Sequence, residues 1–320
     1  MRTFLVRRLL LAIPTLIGAS LLIFLIMRVL PGDVVLMILG AGGEGNPYGI
    51  NVPDVERLRA LLHLDRPPYE QYALWLWDVV RGDLGTSLRS QAPIATEVAQ
   101  RLPVTLELAF LALLVSLLIA IPVGVVSALR QDSAADYVGR LFAIGGLSIP
   151  DFWLASLFLL LLVTWFRWIP SVTYTPFFQD PVTNLQQFLF PALALGVSTS
   201  ASVARMLRSQ LLEVVRQDYI RTAYAKGLRE RTVVLRHAIK NAILPVVTML
   251  GLRVGRLLGG TVILESIFNL PGVGRLLLDS ISWRDFPVVQ ALVLIFTASF
   301  VAVNLLVDMS YAWLDPRVRY

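Results

Sequence analysis

Between Leu108 and Leu129 the chain runs without a single charged residue. About 20 consecutive apolar residues are enough for a helix to cross the hydrocarbon core of a bilayer, so this run fixes the solvent before it fixes the fold. Five further stretches, 9–27, 141–166, 182–204, 241–264 and 286–307, carry at most two charges each. The 320 residues are 56% hydrophobic and only 16% charged, whereas soluble domains carry about a quarter charged residues. That apolar surplus needs lipid. The expected fold class is an all-α polytopic membrane protein with six transmembrane helices.

The run at 9–27 follows Arg2, Arg7 and Arg8. It is longer than the apolar region of a secretory signal and lacks a clear small-residue cleavage site, so it reads as an uncleaved first span. Pro31-Gly32-Asp33 ends it in a turn. Residues 34–101 then form an external segment between spans 1 and 2, with a turn-rich 40–53, a surface helix over 54–64 and an aromatic helix over 69–81 carrying Trp75 and Trp77. Its aromatics can form a small packed core or meet a delivered ligand. The organisation is therefore 1–33, 34–101 and a 102–320 core that contains a basic loop at 205–240. Six spans starting inside leave both termini in the cytoplasm. The segments then assigned to the cytoplasm hold 16 Lys and Arg, nine of them in 205–240, against Arg167, Arg275 and Arg284 in the two short external loops. That bias fits the positive-inside rule.

The same reading excludes several chemistries. With no cysteine there is no disulfide, thiolate nucleophile or cysteine metal site, and His63 and His237 make no multi-histidine centre alone. The glycines of Gly40-Ala-Gly-Gly-Glu-Gly45 lack the lysine of a phosphate-binding loop. If ATP drives this protein, another chain binds it. The net charge of +6 is explained by location and is not a nucleic-acid signal.

Within the basic loop, Asp218-Tyr-Ile-Arg-Thr-Ala-Tyr-Ala-Lys-Gly-Leu228 places Ile220, Ala223, Tyr224, Gly227 and Leu228 on one helical face and Arg221, Thr222, Ala225 and Lys226 on the other. Asp218 can cap the first amides and Gly227 can supply a left-handed exit. Such a helix lies across a lipid surface or in the groove of a partner. Arg221-Thr-Ala-Tyr-Ala-Lys-Gly-Leu228, followed by Asn241-Ala-Ile-Leu-Pro245, resembles the coupling loop of ABC-importer permeases, most of all the dipeptide and oligopeptide branch. Leu30-Pro-Gly-Asp33, Ser148-Ile-Pro-Asp-Phe-Trp153, Thr261-Val-Ile-Leu-Glu-Ser-Ile-Phe268, Leu270-Pro-Gly-Val-Gly274 and Asp315-Pro-Arg317 resemble segments of the same branch in the same order. The resemblance implies a type I permease fold in the cytoplasmic membrane. It implies an external binding protein, a second related permease subunit, and two cytoplasmic ATPase subunits that hold the ATP and Mg. This chain would bind no cofactor and would not itself be an enzyme. A loop helix over 218–232 would couple to the ATPase subunits, with Tyr219 to Leu228 in contact. Relatives of this kind carry dipeptides, longer peptides, glutathione or nickel complexes.

Four charged residues are candidates for the translocation pathway. Arg253 and Arg256 share a face of the fifth span, where they can line a passage for a peptide carboxylate or form ion pairs with Glu107, Asp151 or Glu265. Asp151 follows Pro150 and can meet a cargo ammonium or cap a restarted helix, the second being the plainer reading. Glu265 precedes a segment that can fold back as an outer gate or form a plain external loop. Gly251, Gly255 and Gly259 recur at four-residue spacing and predict close helix packing. An ion-coupled secondary transporter is the alternative function, but it would normally show repeated halves. A membrane enzyme would need a nucleophile–base pair or a metal set.

Overall fold

The structure, a computed structural model, describes residues 2–29, 65–169, 171 and 173–314. The expected turn at Leu30-Pro-Gly-Asp33, the 40–53 stretch, the 54–64 helix and Asp315-Pro-Arg317 lie outside the described residues.

The described residues form α1 (Arg2–Val29), α2 (Pro68–Val80), α3 (Ile94–Leu129), α4 (Ala134–Ser148), α5 (Asp151–Phe166), α6 (Pro181–Val215) and α7 (Asp218–Ala225). A single turn, Glu230–Thr232, and a π-helical segment, Val233–Ala238, lead into α8 (Ile239–Ile267), which precedes α9 (Val273–Ser282) and α10 (Phe286–Leu314). Among the described residues the one isolated β-bridge joins Thr86 and Pro93. Five helical stretches are long and apolar enough to cross a membrane, and α4 with α5 makes a sixth when the bent pair counts as one span. All six expected spans are present as helix.

All six outrun their expected bounds, α3 and α6 by the most. α3 starts at Ile94, inside the stretch assigned to the external segment. Its 36 residues extend about 54 Å at 1.5 Å per residue, well beyond a ~30 Å hydrocarbon core. α6 continues past Ala204 to Val215 because Leu207 and Leu211, four residues apart, stay buried after the membrane pattern ends. The third span breaks at Pro150. Ile149 is extended, as a residue before proline prefers, and α4 and α5 meet at 99°.

The chain divides into two units. One holds Leu5–Leu102 and Leu276–Ala298. In it α2 lies on α1 through Phe24, Tyr72 and Trp75, with the Phe24 and Tyr72 rings 5.3 Å apart, and Ser20 and Tyr72 share a 2.8 Å hydrogen bond. Tyr72 and Trp75 of the 69–81 stretch thus pack on the first span, while Tyr69 and Trp77 remain exposed. In the same unit Asp285, almost fully buried, accepts hydrogen bonds from the Ser87 hydroxyl at 2.6 Å and the Leu88 amide at 3.1 Å, pinning the loop ahead of α3.

The other unit holds Met1–Phe4, Pro103–Arg275 and Ser299–Tyr320. α6 is its central helix and packs against α4, α5 and α8. The small run Ser198-Thr-Ser-Ala-Ser202 makes this possible, because Thr199, Ser200, Ala201 and Ser202 bury with little side-chain bulk. The Ser200 hydroxyl is satisfied by the Val197 carbonyl at 2.7 Å. Asp180 caps the start of α6 by accepting from the Thr183 hydroxyl and the amides of Val182 and Thr183. Those hydrogen bonds, led by the hydroxyl, hold its carboxyl below the ordinary carboxylate range. Two apolar clusters flank this helix, one around Leu108, Phe188 and Leu264 and one around Leu207, Leu211, Ile220 and Val246.

Candidate coupling and translocation site

α7 is the short helix predicted in the basic loop, ending at Ala225 rather than at 232 with Glu230–Thr232 a separate turn, and its position follows from two side chains. Ile220 and Ala223 are buried in the same cluster as Leu207 and Leu211 of α6, Val233 of the π segment, and Ala242 and Val246 of α8. Burying an isoleucine contributes about 1.5–3 kcal/mol, enough to hold an eight-residue helix that would not persist alone. The Asn241 side chain adds a tie, donating to the Tyr219 hydroxyl at 3.1 Å and to the His237 carbonyl at 2.8 Å. This gives the Asn of Asn241-Ala-Ile-Leu-Pro245 a physical task. It links α7 to the start of α8.

The buried face is narrower than the sequence suggests. Tyr224 and Leu228 share the side of Ile220 but remain exposed, as do Tyr219, Arg221, Thr222, Ala225 and Lys226. The N-cap expectation is corrected as well. Gln217 occupies the cap position, and Asp218, the first helical residue, pairs with Arg221 at 3.2 Å in solvent. The exit behaves as expected. Gly227 has φ +74°, its amide bonds to the Tyr224 carbonyl at 2.9 Å, and the Leu228 amide reaches the Ala223 carbonyl at 3.4 Å. These are the paired closures of a Schellman motif, which needs a residue free to adopt the left-handed conformation.

The pathway candidates do not converge on one point. Asp151 opens α5, yet its side chain caps nothing and makes no hydrogen bond or ion pair among the described residues. The capping expectation fails because Pro150 takes the N-cap position. Asp151 instead lines a cavity of about 400 Å³ at the α4–α5 break, together with Ser148, Ser198 of α6 and Ile263 of α8.

Glu265 is fully buried. It accepts from the Thr105 hydroxyl at 2.7 Å and the Arg275 amide at 2.9 Å, and Thr105 in turn accepts from the Val273 amide at 2.9 Å. These residues close the first turn of α9, so Leu270-Pro-Gly-Val-Gly274 enters a helix anchored on a buried carboxylate. Leu270 to Gly272 remain non-helical, and α9 begins at Val273. Arg253 is partly buried on α8, and the side chain of Arg256 lies outside the described residues. A side-chain carbon at Gly251 would collide with Val307, and one at Gly255 with Phe300, so both glycines permit close contact between α8 and α10. Gly259 meets nothing within 4 Å among the described residues and takes no part in that packing.

One cluster escaped the sequence reading. Asp136, fully buried in the first turn of α4, receives two hydrogen bonds from Arg208 of α6 at 2.7 and 2.8 Å and one from Arg140 at 2.5 Å. The Asp136–Arg140 spacing of four was a legible signal. The 72-residue separation from Arg208 was not.

Residues 120–320 match the family model described as binding-protein-dependent transport system inner membrane component, and residues 1–109 match the N-terminal model of such components. The chain belongs to this family. The permease is 42% identical over 320 residues to a Brucella abortus (strain 2308) protein, with all of both chains covered. The dipeptide transport system permease protein DppB of Alkalihalophilus pseudofirmus is 38% identical over 340 residues, again across all of both chains. The glutathione transport system permease protein GsiC of Pectobacterium atrosepticum is 40% identical over 320 residues at full coverage. A crystal structure of an amino acid ABC transporter with histidines aligns at a TM-score of 0.49 and 18% identity, covering 70% of this chain and 95% of that one. The permease is thus a multi-pass inner-membrane component of a binding-protein-dependent transport system.

Proposed function

We propose that this permease imports small peptides, using ATP bound and hydrolysed by separate cytoplasmic subunits. The observation that carries the reading is the two-sided setting of α7. One side is locked by Ile220 and Ala223 into a cluster shared by α6 and α8, while Tyr219, Arg221, Thr222, Tyr224 and Lys226 face solvent. A short helix fixed to two spans and displaying an open polar-aromatic face suits a mechanical input from a docked protein. Approach of two ATPase subunits would push α7, and the shared cluster would pass the displacement to α6 and α8. Both termini would lie in the cytoplasm, on the same side of the membrane as α7. An external binding protein would deliver cargo, and a second, related permease subunit would complete the passage.

Peptide cargo is supported by full-length relatives named for dipeptide and glutathione transport. It is also supported by Asp151, a carboxylate that has no partner among the described residues and lines a cavity between spans. A charge at membrane depth is expensive and is retained where it meets water or a charged ligand. Asp151 would receive the cargo ammonium, with Arg253 and Arg256 attracting the carboxylate end. The engaged carboxylate of Glu265 favours a role in anchoring α9 over one in contacting cargo. To test the reading, the permease would be reconstituted with its partner permease, ATPase subunits and binding protein in proteoliposomes. Dipeptide uptake that requires ATP and the binding protein supports it. Uptake driven by a proton gradient without nucleotide would favour the ion-coupled alternative.

A further inference from the structure

Beside the buried Asp136 lies a second cavity, of about 540 Å³, which the transport reading leaves unused. Its walls come from α3, the turn after it, α4 and α6, and its polar lining includes Arg140, Arg205 and Arg208. Asp136 and Asp132 neutralise part of this charge. Arg208 is committed to Asp136, and Arg140 bridges Asp136 and Asp132, the latter at 2.9 Å. Two donors are left over. The Arg140 Nε is buried without an acceptor, and Arg205 makes no hydrogen bond or ion pair among the described residues. A buried guanidinium N–H without a partner is costly, and a charge-assisted acceptor would satisfy it.

The cavity opens onto an apolar face. Ile144 lines it and is 62% exposed, and Leu141 and Tyr137, one and two turns earlier on α4, are also exposed. A soluble anion would have no use for that stripe, whereas an acyl chain would lie along it. We propose that this cavity binds the phosphate head group of an anionic phospholipid, with Arg205 and the Arg140 Nε as donors and the α4 stripe against the lipid tail. If the 130–140 and 205–240 segments face the cytoplasm, as the charge bias indicates, the lipid belongs to the cytoplasmic leaflet, where anionic head groups attract basic residues. The lipid would bridge α4 and α6 a few turns from α7, bracing the pair of helices on which the coupling helix is mounted.

The test uses the intact transporter complex purified in detergent, washed free of loosely held lipid, and exposed to phosphatidylglycerol. Retained lipid is counted by mass spectrometry. Arg205→Gln is the informative variant, because Arg205 stands outside the Asp136 ion pairs and its loss leaves them in place. Retention should fall about fivefold in Arg205→Gln, the worth of one arginine at a charged leaflet, and recover in Arg205→Lys. Millimolar inorganic phosphate should displace little of the bound lipid. Equal retention in Arg205→Gln would overturn the site. Full displacement by inorganic phosphate would overturn the lipid assignment, because the head-group phosphate alone would then account for binding.

Discussion

Single side chains decide whether the helices of the core can approach at all. Gly251 and Gly255 let α8 lie against Val307 and Phe300 of α10. Gly251→Leu should therefore destabilise the core by about 1–3 kcal/mol through overpacking, whereas Gly259→Ala should change stability by less than ~0.5 kcal/mol. Unfolding of the detergent-solubilised protein, followed through its tryptophans, separates the two. The four-residue glycine spacing was legible in the sequence, but which of the three glycines faces a neighbour was not, since that depends on where α10 passes. The same limit applied to the acids. Asp151 and Glu265 looked alike as charges in apolar runs. The fold gives Glu265 a hydroxyl and an amide to bind, and gives Asp151 a cavity. Asp151→Asn should then raise the KM for uptake of a dipeptide with a free amino terminus about tenfold or more and leave an N-acetylated peptide little affected. Assembly with the partner permease should be unchanged. An equal effect on both peptides would mean that Asp151 does not meet the ammonium.

At the scale of elements, α7 depends on how its ends are closed and which face is held. Gly227 sits at φ +74°, where a β-branched residue is strained. Gly227→Val should fray the end of α7, lowering ATP-driven uptake several-fold while leaving expression and membrane insertion intact. Ile220→Asp should do more, because a carboxylate in the Leu211–Val246 cluster would release the helix from α6 and α8. Limited proteolysis within 216–230 would report that release directly. The 3.6-residue period announced this helix because one side is apolar. It overstated the buried face, since Tyr224 and Leu228 lie on the correct side but beyond the reach of the cluster. α9 and the lengthened ends of α3 and α6 were not legible, because their polar turns carry no membrane pattern and contacts such as Asp285 with Ser87, 198 residues apart, form only in the fold.

For the whole molecule, the strongest signals were those that depend on the solvent rather than on neighbours. Apolar runs of span length with at most two charges follow from the lipid solvent, so all six spans could be read in advance. Contacts between spans could not. Arg208 finds Asp136 across 72 residues, and no local pattern encodes that. The central claim is that α7 is the surface through which separate ATPase subunits move the permease. Because the chain contains no cysteine, single cysteines can be placed without background. Ala225 and, as a control, Ala134 are both exposed, the first at the end of α7 and the second at the start of α4. Membranes containing the permease and its ATPase subunits would be cross-linked with and without nucleotide. The expected result is an ATPase adduct at Ala225→Cys whose yield changes with nucleotide, and none at Ala134→Cys. Labelling of Ala225→Cys only by lipid-phase reagents, with no ATPase adduct under any condition, would contradict the coupling role and leave α7 as a helix lying on the membrane surface.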